Sequence, residues 1–115
     1  MAQNAKYPLR TWIKIARIQD RLAVEVLLDE MDSGEAETIV LAREISAEWV
    51  LMDEKKGRRK LTELRLKKIG TLGILLRAKR AGLAAAIRPD IEQLRERGFS
   101  ISQDVIDAVL RQANE

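Results

Sequence analysis

Residues 12–18, WIKIARI, alternate apolar and polar side chains, and a period of two predicts a strand. The period then lengthens. From Arg21 to Met31, Leu22, Val26 and Met31 recur at helical spacing beside Val24, Leu27 and Leu28, which predicts a helix that Asp32-Ser33-Gly34 breaks. A second helix is expected from about Glu35 to Ile45, with Ile39, Val40, Leu41 and Ala42 as its inner face. Asp32 and Glu35 fit a capping box, in which side chains at the two ends of the first turn satisfy free backbone N–H groups. Trp49–Met52 is a short apolar run and reads as a buried strand. Lys55–Arg65 reads as a basic helix touching the core through Leu61 and Leu64, with Gly57 weakening its start. Leu66–Ile69 is a third short strand. Gly70-Thr71-Leu72-Gly73 is a turn that opens a helix running to Arg80, with Leu75, Leu76 and Ala78 buried and Ala81-Gly82 ending it. Pro89 suits the first turn of a helix to about Arg97, Gly98 closes it, and Ser102 caps a last helix to about Gln112.

The order is β-α-α-β-α-β-α-α-α. Strands separated by helices predict an α/β fold with a parallel sheet. No internal repeat or low-complexity linker interrupts the pattern, so one domain over residues 1–115 is expected. Three short strands make a narrow parallel sheet, and such sheets need both faces covered. The domain therefore reads as incomplete.

Composition narrows the chemistry. Of 115 residues, 46% are hydrophobic and 34% charged, which suits a folded domain with its own core. The chain has no Cys and no His. Disulfides, thiolate or imidazole metal sites, and Ser-His or Cys-His nucleophiles are excluded. Acid–base or metal work falls to Asp, Glu and Lys. No apolar stretch approaches the roughly 20 residues of a membrane helix, and MAQNAKYPLRTW has no signal-peptide core, so a cytoplasmic location without membrane attachment is expected. Aromatics are 3% of the chain, which argues against a base-stacking surface for single strands. The net charge of +3 hides a reversal: Asp20 to Glu54 holds eleven acids and two bases, whereas Lys55 to Arg88 holds twelve bases and one acid, Glu63. Each half can simply solvate its own helix faces. Alternatively, a cation and a polyanion meet at the seam.

That seam is VLMDEKKGRRK, residues 50–60. Ligands of open parallel sheets bind beyond the carboxyl ends of the strands, where Asp53 and Glu54 follow Met52. Asp32, Glu35 and Glu37 crowd the start of the preceding helix, and Glu35 can converge with Asp53 if that helix runs back along the sheet. Clustered carboxylates suit Mg²⁺ or Mn²⁺, and Lys and Arg hold the phosphates of a polymer. Each residue also has a plainer reading. Glu35 is a helix N-terminal acid favoured by the macrodipole. Asp53 is an N-cap of the basic helix, and Thr71 is an N-cap of the next. Gly70-Thr71-Leu72-Gly73 resembles a phosphate-cradling turn but lacks the P-loop pattern.

Three segments together, DSGEAETIVLA (32–42), VLMDEKKGR (50–58) and IGTLGILLRAKRAG (69–82), resemble the PIN-domain family and, within it, the toxin-like subgroup related to VapC ribonucleases. RPDIEQLRERGFSIS (88–102) is similar to that subgroup's tail, and the resemblance runs from about Trp12 to Glu115. It implies a three-layer α/β sandwich with a short parallel sheet flanked by helices. It also implies acids at one sheet edge that bind Mg²⁺ or Mn²⁺ and hydrolyse RNA phosphodiesters. By motif, Glu35 and Asp53 are the implied catalytic and metal-binding acids, and Glu54 is an auxiliary ligand. Lys55, Lys56, Arg58, Arg59 and Thr71 lie where RNA would pass. Implied partners are RNA, an antitoxin-like protein and a second copy of the chain.

One departure is large. The family begins with a strand ending in Asp, its central metal ligand, and a further Glu follows on an early helix. Here MAQNAKYPLRT precedes Trp12 and contains no acid. The chain resembles the C-terminal part of a PIN domain, truncated ahead of its first strand, so an impaired ribonuclease is expected. The other expectation is a non-catalytic module that binds nucleic acid through its basic helix, or binds a protein through an open sheet edge.

Overall fold

The computed structural model describes residues 11–115. These fall into two units, divided after Ala47. In the first, α1 (Arg21–Leu27) and α2 (Ser33–Glu44) pack on each other. Asp20 caps α1 by accepting from the Ala23 N–H at 3.0 Å, and Asp32 caps α2 by accepting from the Glu35 N–H at 2.9 Å. The Glu44 carboxylate, at the far end of α2, accepts from the backbone N–H groups of Gln19 and Asp20 at 2.9 Å each. The two helices are thus antiparallel, with the end of one satisfying the free donors at the start of the other.

The second unit holds β1 (Val50–Leu51), α3 (Lys55–Glu63), β2 (Lys68–Ile69), α4 (Thr71–Arg80), α5 (Arg88–Glu96) and α6 (Gln103–Gln112). β1 and β2 are parallel, with Val50 opposite Lys68 and Leu51 opposite Ile69. Parallel strands need a crossover connection between them, and α3 lies in it. α4, α5 and α6 enclose a core of Leu76, Ile87, Ile91, Ile106, Leu110 and Ala113. Ser102 caps α6 through the Val105 N–H, and Pro89 stands in the first turn of α5, both as the sequence predicts. The expected α/β class with a short parallel sheet and flanking helices is therefore what forms.

Three details differ from the pattern. Residues 12–18 form no strand, and Trp12 and Ile15 are exposed. Alternation supplies a face, but a strand also needs an adjacent backbone for its N–H and C=O groups, and among the described residues only β1 and β2 pair. In α1 the buried positions are Val24 and, just beyond the helix, Met31, while Leu22 and Val26 are exposed. Val24, Leu27 and Met31 follow the i, i+3, i+7 rule, which is the face that meets α2. Finally, β1 is buried on one side only: Val50 and Met52 are each 4% exposed, whereas Trp49 and Leu51 are 43% and 52% exposed.

Gly57 has a packing role. A Cβ at this position in α3 would stand 2.4 Å from Met52 Sδ and 2.9 Å from Met52 Cγ. The glycine lets α3 lie directly on the buried Met52 side chain, so its low helix propensity is the condition of a close approach. The α5 end is secured differently. Its N-cap, Ile87, makes no side-chain cap of its own. Glu115 supplies one, accepting from the Ile87 N–H at 2.8 Å and the Arg88 N–H at 3.1 Å, while Lys79 Nζ of α4 stands 3.1 Å from the same carboxylate. The Ile87 N–H foremost, then the Arg88 N–H and Lys79, hold the Glu115 carboxyl below its ordinary value against the opposing effect of desolvation.

Two outcomes follow. Helix propensity alone makes Gly57→Ala stabilising by about 1 kcal/mol; overpacking against Met52 costs about 1–3 kcal/mol, so urea unfolding should show a net loss of about 1 kcal/mol. In a Met52→Ala background the same change should become favourable. Glu115→Gln should lower the thermal midpoint at neutral pH. Because the folded carboxyl is more acidic than the ordinary 4.5, its stabilisation is complete above that value and fades as pH falls through the lowered one. The midpoints of parent and variant should therefore converge in acid.

Candidate nuclease edge

The parallel register continues past the strands. Met52 N–H donates to the Ile69 carbonyl at 3.0 Å, so the next side chains on the same frame are Asp53 and Thr71, 18 residues apart like the pairs before them. Asp53 Oδ1 accepts from the Thr71 N–H at 2.9 Å and Oδ2 accepts from the Thr71 hydroxyl at 2.7 Å. Thr71 is the first residue of α4, and the N-cap, Gly70, has no side chain to cap with. Asp53 thus caps α4 from across the sheet edge, where the helix's free N–H groups and partial positive charge favour an anion.

Gly70 makes this approach possible. A Cβ there would lie 3.0 Å from Asp53 Oδ1 and 3.3 Å from Arg58 Nη1. Arg58 donates from Nη1 to the Met52 carbonyl at 2.8 Å, tying the first turn of α3 to the residue before Asp53. The plainer sequence readings are therefore displaced. The N-cap of α3 is Glu54, without a side-chain cap bond, and the N-cap of α4 is Gly70.

The remaining candidates lie as follows. Glu54, Lys55, Lys56 and Arg59 are exposed at the start of α3, and Arg58 is half-buried. Lys60 pairs with Glu63 at 3.1 Å. Glu35 belongs to the first unit, in the first turn of α2, with its Oε2 out of contact with solvent. Asp53 belongs to the second unit. Among the described residues no group of three Asp or Glu side chains gathers closely enough to hold a metal ion. Asp53 supplies one carboxylate and Thr71 one hydroxyl. That is a partial donor set for Mg²⁺, which accepts few protein ligands but favours carboxylates.

A PIN-domain family model matches residues 3–115. The chain belongs to the PIN-domain family. PIN domains are nuclease-type proteins that generally use Mg²⁺ or Mn²⁺. Comparison with curated proteins and with solved structures gives no match. In this PIN domain the motif containing Asp53 stands at the carboxyl end of a parallel strand, where an α/β sheet presents ligand-binding groups.

The sequence does not single out Asp53 with Thr71 as a pair. Each residue is visible, but only the register between β1 and β2 joins them. Asp53→Ala and Thr71→Val should each cost about 1 kcal/mol in urea unfolding, as a lost helix cap and a lost hydrogen bond do. Because both remove one interaction, the double variant should be less destabilised than the two losses added.

Proposed function

We propose that this PIN domain is a metal-dependent ribonuclease of the toxin-like kind related to VapC, with impaired cleavage. Its catalytic edge is at the end of β1. The observation that carries this reading is Asp53 in a PIN chain, held by Thr71 at the carboxyl end of a parallel strand. A bound Mg²⁺ or Mn²⁺ would supply charge neutralisation and an activated water there. Asp53 would be its principal carboxylate and Glu54 an auxiliary ligand, and by motif Glu35 is the second catalytic and metal-binding acid. Thr71 fixes the Asp53 carboxylate and stands beside the passing RNA. Lys55, Lys56, Arg58 and Arg59 hold the phosphate backbone through long cationic side chains at the start of α3.

Impairment follows from the donor set. At this edge Asp53 supplies one carboxylate and Thr71 one hydroxyl. The same fact supports a second reading, a non-catalytic module that binds nucleic acid, an antitoxin-like protein or a second copy of itself. Among the described residues no helix is long and apolar enough to cross a membrane. A cytoplasmic location is part of the proposal.

RNA cleavage by the purified chain, with and without Mn²⁺, tests the first reading. Slow cleavage that requires both Mn²⁺ and an intact Asp53, and disappears in Asp53→Asn, is the expected result. Mn²⁺-independent binding that weakens through Lys55 and Arg59, with a steep salt slope and indifference to Glu35→Gln, would instead support the second. Light scattering at micromolar concentration should show association, because Leu51, Trp49 and Leu83 leave apolar surface exposed.

A further inference from the structure

The register that places Asp53 beside Thr71 has a second end. Val50 N–H donates to the Lys67 carbonyl at 2.8 Å, and the next pair on the frame is Trp49 with Lys67. Lys67 Nζ stands 5.5 Å from the centroid of the Trp49 ring, and Arg77 Cζ of α4 stands 5.1 Å from it. Both cations lie within cation–π reach. Both are exposed, as is the indole. Among the described residues neither cation pairs with a carboxylate.

Alternation along β1 puts Trp49, Leu51 and Asp53 on one face, and all three are exposed. α4 borders that face. A Cβ on its Gly73 would stand 2.9 Å from Ile69 Cγ1, and its Arg77 lies over Trp49. One open surface therefore runs from Asp53 at one end of the strand to the Trp49 cluster at the other. The distance is about 13 Å at the usual rise per strand residue, which a few nucleotides of a single strand would span.

We propose that Trp49, Lys67 and Arg77 form a grip for single-stranded RNA, in which one base stacks on the indole and the two cations take the flanking phosphates. This rests on the reading of the Asp53 edge as the nuclease edge and adds a binding subsite at the other end of its strand. The partner follows from the chemistry of the cluster. An acidic peptide would satisfy the cations but leave the indole unused. Duplex nucleic acid presents no free base face. A single strand presents both phosphates and bases, and every base has a face that stacks on an aromatic ring. The few aromatic residues exclude a platform for a run of bases. They leave room for one stacked base set between two cations. Lys67 is the mobile member, a flexible ammonium that a base can displace from the ring, while the planar Arg77 guanidinium can remain in contact.

The test is binding of a short, labelled oligouridylate to the full chain in EDTA, read by anisotropy. Trp49→Ala should weaken binding about tenfold, within the range for loss of one stacked base; Trp49→Phe should retain most of the affinity. Lys67→Gln with Arg77→Gln should lower the salt slope by about 1.4. These two side chains are exposed, so this variant reads the surface even if Trp49→Ala misfolds. In a Trp12→Phe chain, where Trp49 is the sole indole, oligouridylate should quench its fluorescence. Unchanged affinity in Trp49→Ala together with an unchanged salt slope in the double variant would overturn the proposal. So would duplex DNA binding as tightly with the same dependence on Trp49. Binding read without divalent metal, and again in Asp53→Asn, keeps this inference separate from catalysis. A chain that grips RNA through Trp49 yet cleaves nothing upholds the grip and removes only the nuclease reading.

Discussion

The backbone hydrogen bonds from Val50 N–H to the Lys67 carbonyl and from Met52 N–H to the Ile69 carbonyl set one parallel frame. The second unit's chemistry depends on it. The frame brings Asp53 to the first residue of α4, and it sets Trp49 beside Lys67. A slip of one residue would move every side chain of β1 to the opposite face. Val50 and Met52 would then leave the core, and Asp53 would turn away from Thr71. The burial of Val50 and Met52 against exposure of Trp49 and Leu51 is thus what prevents the slip. With only two residues in each strand, side-chain burial and the Asp53 cap complete what two ladder bonds begin.

Asp53 serves structure and candidate chemistry together. As a cap it accepts from a backbone N–H and a hydroxyl of the same residue, which fixes both oxygens without consuming all their lone pairs. A carboxylate held this way needs little rearrangement to meet a cation, and such support is what distinguishes a preorganised ligand from a loose one. Gly70 and Arg58 belong to the same device. The missing Cβ leaves space for Oδ1, and the guanidinium anchors the preceding carbonyl. Geometry supplies one well-placed carboxylate, and Mg²⁺ takes one or two of these together with waters and substrate phosphates.

The parts legible in the sequence were those governed by short-range rules. Asp32 and Ser102 cap the helices expected of them, and every helix falls within a few residues of its periodic segment, because caps and amphipathic spacing are local. Features set by distant neighbours were not legible. The WIKIARI alternation is a strand pattern with no partner backbone. Gly57 reads as a weak helix start and is a close-packing position, since its meaning lies in Met52 above it. Asp53 reads as a cap of the helix that follows it, yet it caps the helix 18 residues on. Glu115 carries no signal at all until α5 and α4 converge on it. Trp49 opens one expected strand and Lys67 lies within the other, and only the spacing shared with Asp53 and Thr71 marks them as a pair.

That shared spacing also bears on how a nuclease and a binding module would differ here. Both would use the open face of β1, bounded by α4 on one side and by the cationic start of α3 at its far end. Phosphate contacts fix a nucleic acid in place without chemistry, and the basic stretch from Lys55 to Arg88, within the second unit, would be their source. Cleavage adds only a local demand, more than one carboxylate close to Asp53, and leaves the rest of the surface unchanged. On the proposed reading, a grip on a polyanion and the acids at one edge would be separate requirements, the first for binding and the second for cleavage. A slipped register would remove the proposed grip and the edge together, because one parallel frame positions both.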